Sequence, residues 1–492
     1  MLEQIETMLG SMVRDEWAAE VEAQGEKVLL YRQYADGEHR AKLTPEMKQM
    51  LRISGDALDQ FNANYCDLVV ATMADRLTVE RIEGGDDASE WAEALLRYNR
   101  FDGFQMDVHE ATIRDGDTFV MLGYDNDAQM PTFHHEPAWD GDTGMIVVYD
   151  RMRVNILVAI KVWYEANPAS SGEDSTDDKR INIYYPDRVE KYWSAEGGDS
   201  LDPIGEEPTP WKMTSGEAVG VPVIHFRNRA RSRTTTGISE LASVIPLQDA
   251  LNRNLTSMVT TSELSAFQIR VAKGFDPPTN LSPGMWVVIG PEGLDKDQVA
   301  DADTMEQAQL VPFINQAYFL IDQIGNVSRT PMAGNMGGDS QSGEALKQRE
   351  VGLLGKIGRF QVKTGNAWED VMQMAARVQT AFGSKQPPQV QTWNTKWKDA
   401  QIRNDAETIQ NAMMVADLVG EAETLRLVGK VFGWDEAKIK MIMAEKASET
   451  VNRLAGLNLP GFAQFNAPDQ QPVNQPDEMT PEDTTIEDAA AA

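Results

Sequence analysis

The glycine spacing of Gly338-Asp-Ser-Gln-Ser-Gly343 is that of a phosphate-binding loop. Such a loop needs a lysine and a hydroxyl residue directly after its last glycine, to reach the phosphates and a magnesium ion. Here Glu344 and Ala345 occupy those two positions, and the preceding residues have a helical rather than a strand pattern. The sequence therefore argues against an ATPase site at this loop.

A second segment has the spacing of a calcium loop. Its residues at the first, third, fifth and twelfth positions are Asp125, Asp127, Gln129 and Glu136. Met130, however, takes the sixth position, where the sharp turn of a calcium loop requires glycine. Because Pro131 follows and both flanks have strand-like patterns, we predict a hairpin turn here instead of a cation site.

Other residues that could perform chemistry do not form a catalytic set. His134 and His135 would point to opposite faces of a strand, and the chain has only five histidines. Cys66 lies in the apolar run 65–73, where a small core residue is more common than a nucleophile. No Gly-x-Ser-x-Gly nucleophile turn is present. We therefore predict no catalytic residue, no metal site and no cofactor, and hence no enzyme.

Two clusters of basic residues stand out in this acidic chain. The first alternates along the sequence, so that an extended strand would place all its members on one face: Arg227, Arg229, Arg231 and Arg233. The second falls within a sector of about 80° on a helix: Arg349, Lys356, Arg359 and Lys363. Both clusters suit contacts with DNA phosphates or with carboxylates of a neighbouring subunit. Local ion pairs for the first cluster and a solvated helix face for the second are the simpler alternatives.

Three glycines interrupt the helical pattern that carries the second cluster: Gly352, Gly355 and Gly358. They do not form a dinucleotide-binding fingerprint, because no strand precedes them. Each glycine costs roughly 1 kcal/mol relative to alanine inside a helix. The three together therefore predict a helix kink or a close approach of another element, and we expect a kink.

The formal net charge of −32 argues against a general nucleic-acid-binding protein, which is normally basic where it contacts phosphate. Residues 456–492 contain seven acidic residues and no lysine or arginine, which leaves about −25 on the rest of the chain. This acidic, proline- and glutamine-rich tail is expected to be disordered. No apolar run of about 18 residues occurs, so no transmembrane helix is expected.

The elements that must position these residues change in type along the chain. Helical spacing predicts helices over most of residues 1–34 and 44–80. From residue 117, short β-branched and aromatic runs between turn-forming clusters predict an antiparallel sheet. The runs are 118–124, 145–149, 154–164, 180–185, 189–193 and 221–226, with a polar excursion over 166–178.

Beyond residue 237 the pattern is mainly helical. Pro246 suits the first turn of one helix, and a second helix covers 313–324 and ends near 329–331. A strand-and-turn module over about 269–308 separates these two helices. The next helical pattern, 343–382, would be about 60 Å long if continuous. A strand-like segment (389–397) and three shorter helical patterns (405–419, 421–432 and 435–454) follow.

Three stretches, in this order along the chain, resemble phage portal proteins of the SPP1 type. They are Asn64-Tyr-Cys-Asp-Leu-Val-Val-Ala-Thr-Met-Ala-Asp-Arg-Leu77, Gly237-Ile-Ser-Glu-Leu-Ala-Ser-Val-Ile-Pro-Leu-Gln-Asp-Ala-Leu-Asn252 and Ser342-Gly-Glu-Ala-Leu-Lys347. The second is similar to the family's Gly-x-Ser-Glu segment before the first stem helix, and the third to the start of the long helix after the tunnel loop. Trp393 lies in a strand similar to the one that follows that helix. The resemblance covers roughly residues 25–455.

The resemblance implies an α+β, mainly helical portal fold with wing, stem, clip and crown regions. The implied regions are N-terminal helices and an α/β wing (1–236), a first stem helix (237–268), a clip (269–312), a second stem helix (313–331), a tunnel loop (332–342), a long kinked helix and a returning wing strand (343–404), a helical crown (405–455) and a disordered acidic tail (456–492). The implied clip is short for the family. The tunnel-loop residues expected to face DNA are Asn335, Gly337, Gly338, Asp339, Ser340, Gln341 and Ser342.

The resemblance also implies a function and its partners. The family forms a ring, usually a dodecamer, at one vertex of the phage capsid, through which double-stranded DNA is packaged and ejected. Its partners are the terminase large subunit, the head–tail connector protein, and the major capsid and scaffolding proteins; no membrane is involved. The protein is accordingly expected in the virion, and in the host cytoplasm during assembly. Two alternatives are a non-portal capsid or scaffold protein and a terminase-like packaging motor, although a motor would need the phosphate loop that is missing.

Overall fold

The structure is a computed structural model that describes residues 11–39, 63–150, 152, 154–166, 177–194, 202–205, 207–231, 234–266, 270–273, 286–289, 301–304, 309–332, 343–401, 405–414, 416, 420–432, 434 and 436–456. The described residues divide into two compact units, within 1–401 and 402–492. Both helices and several small sheets are present, so the chain has an α+β fold. None of the described helices combines the length and apolar character that crossing a bilayer requires.

The described residues at the start of the first unit form four helices and one strand. They are α1 (Ser11–Ala35), α2 (Cys66–Ala74), β1 (Val79–Glu83), α3 (Asp86–Tyr98) and α4 (Phe101–Asp115). The helix α4 ends at Gly116, whose φ of 94° is a conformation that favours glycine. The helix therefore ends at this residue, and strand β2 begins directly after it, at Asp117.

In the sheet region, the described strands form two antiparallel sheets. Their strands are β2 (Asp117–Asp125), β3 (Met130–Pro137), β4 (Thr143–Tyr149), β5 (Ile156–Ala166), β6 (Asp177–Tyr184), β7 (Arg188–Ser194), β8 (Asp202–Pro203), β9 (Thr209–Pro210) and β10 (Val223–Arg227). One sheet has the order β10-β2-β3, and the other the order β4-β5-β6-β7-β8 with β9 also paired to β7. The antiparallel pairing predicted from the sequence is confirmed in this region.

Long helices follow the sheets. After a 3₁₀ turn (Glu240–Ser243) come α5 (Ile245–Ala266), β11 (Arg270–Lys273), β12 (Trp286–Ile289), β13 (Asp301–Thr304), α6 (Val311–Ser328), α7 (Gly343–Phe382) and β14 (Asn394–Trp397). The strands β11, β12 and β13 form a separate small sheet between α5 and α6. The strand β14 returns to pair with β1, more than 300 residues earlier in the chain.

The second unit is helical where the structure describes it. Its helices are α8 (Asp405–Met414), α9 (Glu421–Phe432) and α10 (Glu436–Gly456). Ala412 and Ile439 are buried within this unit. These helices agree with the three short helical patterns predicted from the sequence.

Several apolar clusters hold the first unit together. One surrounds the fully buried Trp368 of α7, which packs edge-on against Phe101 and Phe226. A second joins α2, α5, α6 and α7 through residues such as Val69, Leu251 and Ile357. The remaining two clusters lie against the faces of the sheets. The helix α7 contributes residues to the first two of these clusters. It thereby connects the sheet region to the α5–α6 pair.

The structure corrects some sequence-based boundaries. The helix pattern predicted over 44–80 is described only from residue 63, and its helix ends at Ala74, before strand β1. The strand predicted over 389–397 begins only at Asn394. The helices α3 and α4 were not predicted at all. In contrast, the bounds of α7 agree with the predicted helix over 343–382.

Candidate functional site

The segment Gly237–Glu240 forms the junction between the sheets and the helix α5. The Gly237 N–H donates a hydrogen bond to Asp117 Oδ1 at 2.6 Å. A Cβ at Gly237 would lie 2.0 Å from the carbonyl oxygen of Gly116, so the two backbones approach too closely for any side chain. Ser239 accepts the Leu241 N–H at 3.0 Å and donates to the carbonyl of Arg114. The Gly-x-Ser-Glu motif therefore fixes the start of α5 against the end of α4.

The segment before α2 is bound to α5 by side-chain amides. Asn252 Oδ1 accepts the Ala63 N–H at 3.0 Å, and Gln248 Oε1 accepts the Tyr65 N–H at 3.0 Å. Asn64 Oδ1 accepts the N–H of Cys66 at 3.1 Å and thereby satisfies a free donor at the helix start. Two of the three stretches that distinguish this sequence are thus in direct contact.

Glu240, the last residue of the junction motif, is a buried carboxylate. Lys356 Nζ of α7 lies 2.9 Å from Glu240 Oε2, with side-chain exposures of 8% and 3%. Lys356 also donates to the carbonyl of Ser328 at 3.0 Å, and Asn228 Nδ2 donates to Glu240 Oε1 at 3.0 Å. Burial lowers the pKa of Lys356, and the Glu240 carboxylate opposes that shift. This buried pair connects the junction, the end of α6 and the middle of α7.

A cleft of about 570 Å³ opens beside this pair. The described residues of its lining include six basic residues and one acidic residue. They are Arg227, Arg229, Arg329, Lys356, Arg359, Lys363 and Glu240. The exposed valines Val327 and Val362 lie on the same lining, with exposures of 47% and 67%. We call this feature the basic cleft.

The basic stripe predicted on α7 is only partly available to a ligand. Lys356 is buried and paired with Glu240 within the subunit, so its Nζ is less accessible than those of the exposed members. Its role as a contact for DNA or another subunit stays a prediction. Arg359 and Lys363 are exposed and line the basic cleft. Lys363 Nζ donates to the carbonyl of Ala230 at 2.7 Å. Arg349 lies in α7, but its side chain is outside the described residues.

The predicted single face of four alternating arginines is wrong. Strand β10 ends at Arg227, and Arg229 has a φ of 47°, which an extended strand does not allow. Arg227 lies over the ring of Tyr149 at 5.0 Å, whereas Arg229 turns towards Glu240 at 3.6 Å. Arg231 is exposed in the following turn, and Arg233 is outside the described residues. Arginines continue to alternate along the sequence after Arg227, but the backbone there is no longer extended, so they do not lie on one face of a strand.

Comparison with known proteins identifies the family. The sequence model of the phage portal protein family, SPP1 Gp6-like, matches residues 53–451. The chain belongs to this family. The portal protein of Mycobacterium phage D29 is 24% identical over 416 residues, which cover 79% of each chain. The portal protein of Mycobacterium phage L5 is 24% identical over 419 residues, covering 79% of this chain and 78% of the relative.

Solved structures also include similar chains. A chain from the neck of a native GTA particle with C12 symmetry is 12% identical, with a TM-score of 0.35, covering 80% of this chain and 95% of that one. A chain from the neck of an empty GTA particle with C6 symmetry is 12% identical, with a TM-score of 0.37 and the same coverages.

The predicted tunnel loop of this portal protein lies outside the described residues, apart from Met332. Asn335, Gly337, Gly338, Asp339, Ser340, Gln341 and Ser342 therefore keep their predicted role without a structural test. The chain before the loop is anchored, because Met332 is buried and the Thr330 N–H donates to the carbonyl of Gly325 at 3.0 Å. The loop connects this anchored end of α6 to the start of α7.

The three glycines of α7 lie inside one unbroken helix. A Cβ at Gly355 or Gly358 would meet no described atom within 4 Å, and one at Gly352 would lie 3.7 Å from Arg329 Cβ. Close packing therefore does not explain Gly355 or Gly358. The kink at Gly352, Gly355 and Gly358 stays a prediction.

The segment with calcium-loop spacing forms the β2–β3 hairpin, as predicted. Asp125 Oδ1 accepts the N–H groups of Asp127 and Ala128 at 2.8 and 3.1 Å, and Tyr98 donates to its other oxygen at 2.6 Å. Glu136 instead pairs with Lys161 at 2.7 Å. Among the described residues, no group of three or more His, Cys, Asp and Glu side chains has the arrangement of a metal site.

The remaining candidate nucleophile, Cys66, lies in an environment that disfavours its reactive thiolate form. Cys66 is fully buried, and burial together with the nearby Asp249 raises the pKa of its thiol to about 12. The thiolate is therefore strongly disfavoured at neutral pH. The prediction that Cys66 is a small core residue is confirmed.

A polar network at the junction between the sheets and helix α5 was not predicted from the sequence. His225 Nε2 lies 2.8 Å from Asp117 Oδ1, and its Nδ1 lies 2.8 Å from the Tyr149 hydroxyl. The ring stacks on Phe119 at 4.4 Å. Asp117 also holds Gly237, so the network joins three strands to the start of the helical region. Only the tertiary fold brings these residues together, and the sequence carries no local signal for them.

Proposed function

We propose that this portal protein assembles into a ring, with twelve subunits, around an axial channel at one vertex of the phage capsid. Double-stranded DNA passes through this channel during packaging and ejection. The observation that carries the proposal is family membership over residues 53–451, joined to an architecture in which α5 and α6 pack together with a small sheet between them in sequence. Asn254 Nδ2 of α5 donates to the carbonyl of Phe313 of α6 at 2.8 Å, which fixes this helix pair.

The regions of the proposed portal follow the order of elements. Helices α5 and α6 form the stem, and the sheet β11–β13 forms the clip. The sheets β2–β10, with α1–α4 and the returning strand β14, form the wing. Residues 332–342 form the tunnel loop, α7 supports it from behind, and the helices α8–α10 form the crown.

The proposed partners belong to the assembly of the phage head. The clip is the docking surface for the terminase large subunit during packaging and for the head–tail connector protein afterwards. The wing contacts the major capsid and scaffolding proteins. The portal protein lies in the virion, and it assembles in the host cytoplasm. The chain supplies a structural passage, and the separate terminase supplies the energy of ATP hydrolysis.

Electron microscopy of the purified full-length protein tests the ring. We expect ring-shaped particles with a central hole, and class averages that give the number of subunits. Compact monomers at high protein concentration would contradict the proposal.

Shortening residues 333–342 tests the tunnel loop. A loop that contacts passing DNA is expected to reduce DNA packaging and retention when it is shortened, while rings still form. A matched change at the exposed β2–β3 turn, residues 126–128, should leave packaging unchanged. Unchanged packaging by the shortened loop would contradict its proposed role.

A further inference from the structure

Four cations of the basic cleft have no carboxylate partner among the residues that the structure describes. Arg227 lies on the ring of Tyr149, and the exposed Arg329 follows the C-terminus of α6. Arg359 Nε donates to the carbonyl of Gly355, and Lys363 donates to that of Ala230. Glu240, the only carboxylate among the described residues of the lining, is already paired with Lys356 and Arg229. In a chain with 77 acidic and 45 basic residues, unpaired cations gathered at one place indicate an anionic partner from outside the subunit.

The shape and the apolar content of the cleft favour a protein over DNA. A volume of about 570 Å³ is that of a small-molecule pocket, which a protruding side chain can enter and a rigid double helix cannot. Val327 and Val362 expose about half or more of their surfaces on the same lining. Contacts to the DNA backbone are made by charged and polar groups, whereas exposed apolar side chains among cations are typical of a protein interface.

A second copy of this chain provides the required charge. Each subunit carries a net charge of −32, so a ring brings many like charges together and is destabilised by their repulsion. Placing unpaired cations of one subunit against carboxylates of the next offsets that repulsion locally. We propose that the basic cleft is an intersubunit socket that receives an acidic segment of the neighbouring portal subunit. This inference rests on the proposed ring.

The structure also indicates how the socket is held in place. Lys356 and Glu240 sit beneath it as a buried pair and tie the end of α6, α7 and the junction motif together. Arg329, Arg359 and Lys363 therefore project from a rigid base instead of from three independent loops. A rigid base reduces the loss of side-chain freedom on association and so favours binding.

Charge reversal tests the socket. In the double variant Arg359→Glu and Lys363→Glu, we expect subunit association to weaken at least tenfold, as measured by analytical ultracentrifugation at moderate salt. The control Lys191→Glu and Lys385→Glu changes the net charge equally at exposed positions outside the cleft and should form rings like the wild type. Circular dichroism establishes that both variants are folded. A neutral variant, Arg359→Gln and Lys363→Gln, should give an intermediate effect.

Zero-length crosslinking provides a second measurement that does not depend on a destabilising variant. A carbodiimide couples the Lys363 amine to a carboxylate in direct contact and should yield covalent dimers from wild-type rings. In Lys363→Arg the charge remains but the reactive amine is lost, so rings should persist while this crosslinked product disappears. Mass spectrometry of the product names the acidic residue of the neighbouring subunit.

The outcomes separate this inference from the proposed ring. If the wild type forms no rings, the proposed function fails, and the socket fails with it. If the wild type and the charge-reversed variant form rings equally well, the ring stands and the socket is wrong. Normal rings with reduced DNA packaging in that variant would assign the cleft to DNA and overturn the inference.

Discussion

At the scale of single side chains, hydrogen bonds fix the protonation state of the buried His109. The Trp368 indole donates to His109 Nε2 at 2.9 Å, which makes that nitrogen an acceptor. His109 Nδ1 must then carry the proton and donate to the carbonyl of Leu77 at 3.1 Å. Only the neutral imidazole fits this arrangement, because a second ring proton would face the indole N–H. Burial accordingly lowers the pKa of His109 to about 4.

This histidine predicts a loss of stability in mild acid. Its pKa is about 4 in the folded protein and about 6.5 in the unfolded chain, so the unfolded state binds protons first as the pH falls. The stabilisation is complete above pH 6.5 and decreases as the pH falls towards 4. We expect a loss of about 2 kcal/mol from this residue between pH 6.5 and pH 5. Burial also lowers the pKa of His135 and His225, which add to the effect.

The measurement is denaturant unfolding at several pH values for the wild type and His109→Gln. The variant should lose less stability on acidification, although it retains the contributions of the other histidines. Parallel pH profiles for the two proteins would show that His109 does not titrate as its surroundings require.

The Glu240–Lys356 pair predicts a large effect of removing one partner. In Glu240→Gln the buried Lys356 loses its carboxylate partner, and breaking a buried pair in this way costs about 3–5 kcal/mol. The exposed pair Arg97–Glu93, joined at 2.7 Å, provides the control, and Glu93→Gln should cost less than about 0.5 kcal/mol. Thermal and denaturant unfolding measure both. The double variant Glu240→Gln and Lys356→Met should recover part of the loss, and no recovery would argue against an uncompensated charge as its cause.

The sequence predicted parts of the candidate site and missed others for a physical reason. Arg359 and Lys363 were recognised because helical spacing alone places them on one face. Lys356 shares that face, but its carboxylate partner Glu240 is 116 positions earlier, and only the tertiary fold brings it within 2.9 Å. The arginines after Arg227 were misplaced because a left-handed residue at Arg229 ended the strand without glycine or proline as a signal.

At the scale of elements, the periodicity of apolar residues predicted a helix only where the buried face of that helix is apolar. The helix α7 has such faces on two apolar clusters, and its bounds were predicted correctly. The helix α4 was missed because its buried face includes Gln105, His109 and Thr112. Gln105 binds both backbone groups of Val79, so this polar face serves strand β1. Because these buried positions are polar, the hydrophobicity pattern of α4 resembles that of a solvent-exposed segment.

The glycines of α7 and of the junction predict opposite effects of substitution by alanine. Gly355→Ala and Gly358→Ala should each raise stability by about 1 kcal/mol, because a helix prefers alanine and no described atom lies within 4 Å of the added Cβ. Gly237→Ala should strongly destabilise the protein, because its Cβ would overlap the carbonyl oxygen of Gly116. Thermal unfolding of the three variants measures both effects. A loss of stability in Gly355→Ala would show that the helix there departs from regular geometry, as the predicted kink requires.

At the scale of the whole molecule, the four apolar clusters that the described residues form lie within the first unit, between Val21 and Ala400. The second unit begins at Ile402 and has buried residues of its own, such as Ala412. Sequence patterns predicted most of the helices of both units, apart from α3 and α4, but could not show that β14 pairs with β1. That pairing closes the first unit, because Trp393 of the returning segment packs against the first cluster.

The division into units predicts that a chain ending at Gln401 folds by itself. Such a variant keeps every apolar cluster of the first unit and strand β14, so its main unfolding transition should have nearly the midpoint of the full chain.

A chain ending at Gln389 provides the contrast, because it lacks Trp393 and Trp397 and leaves β1 unpaired. Loss of a buried tryptophan costs about 3–5 kcal/mol, so this shorter chain should unfold at a clearly lower temperature. Differential scanning calorimetry distinguishes the two. If the chain ending at Gln401 were as unstable as the one ending at Gln389, the first unit would depend on residues 402–492 for its stability.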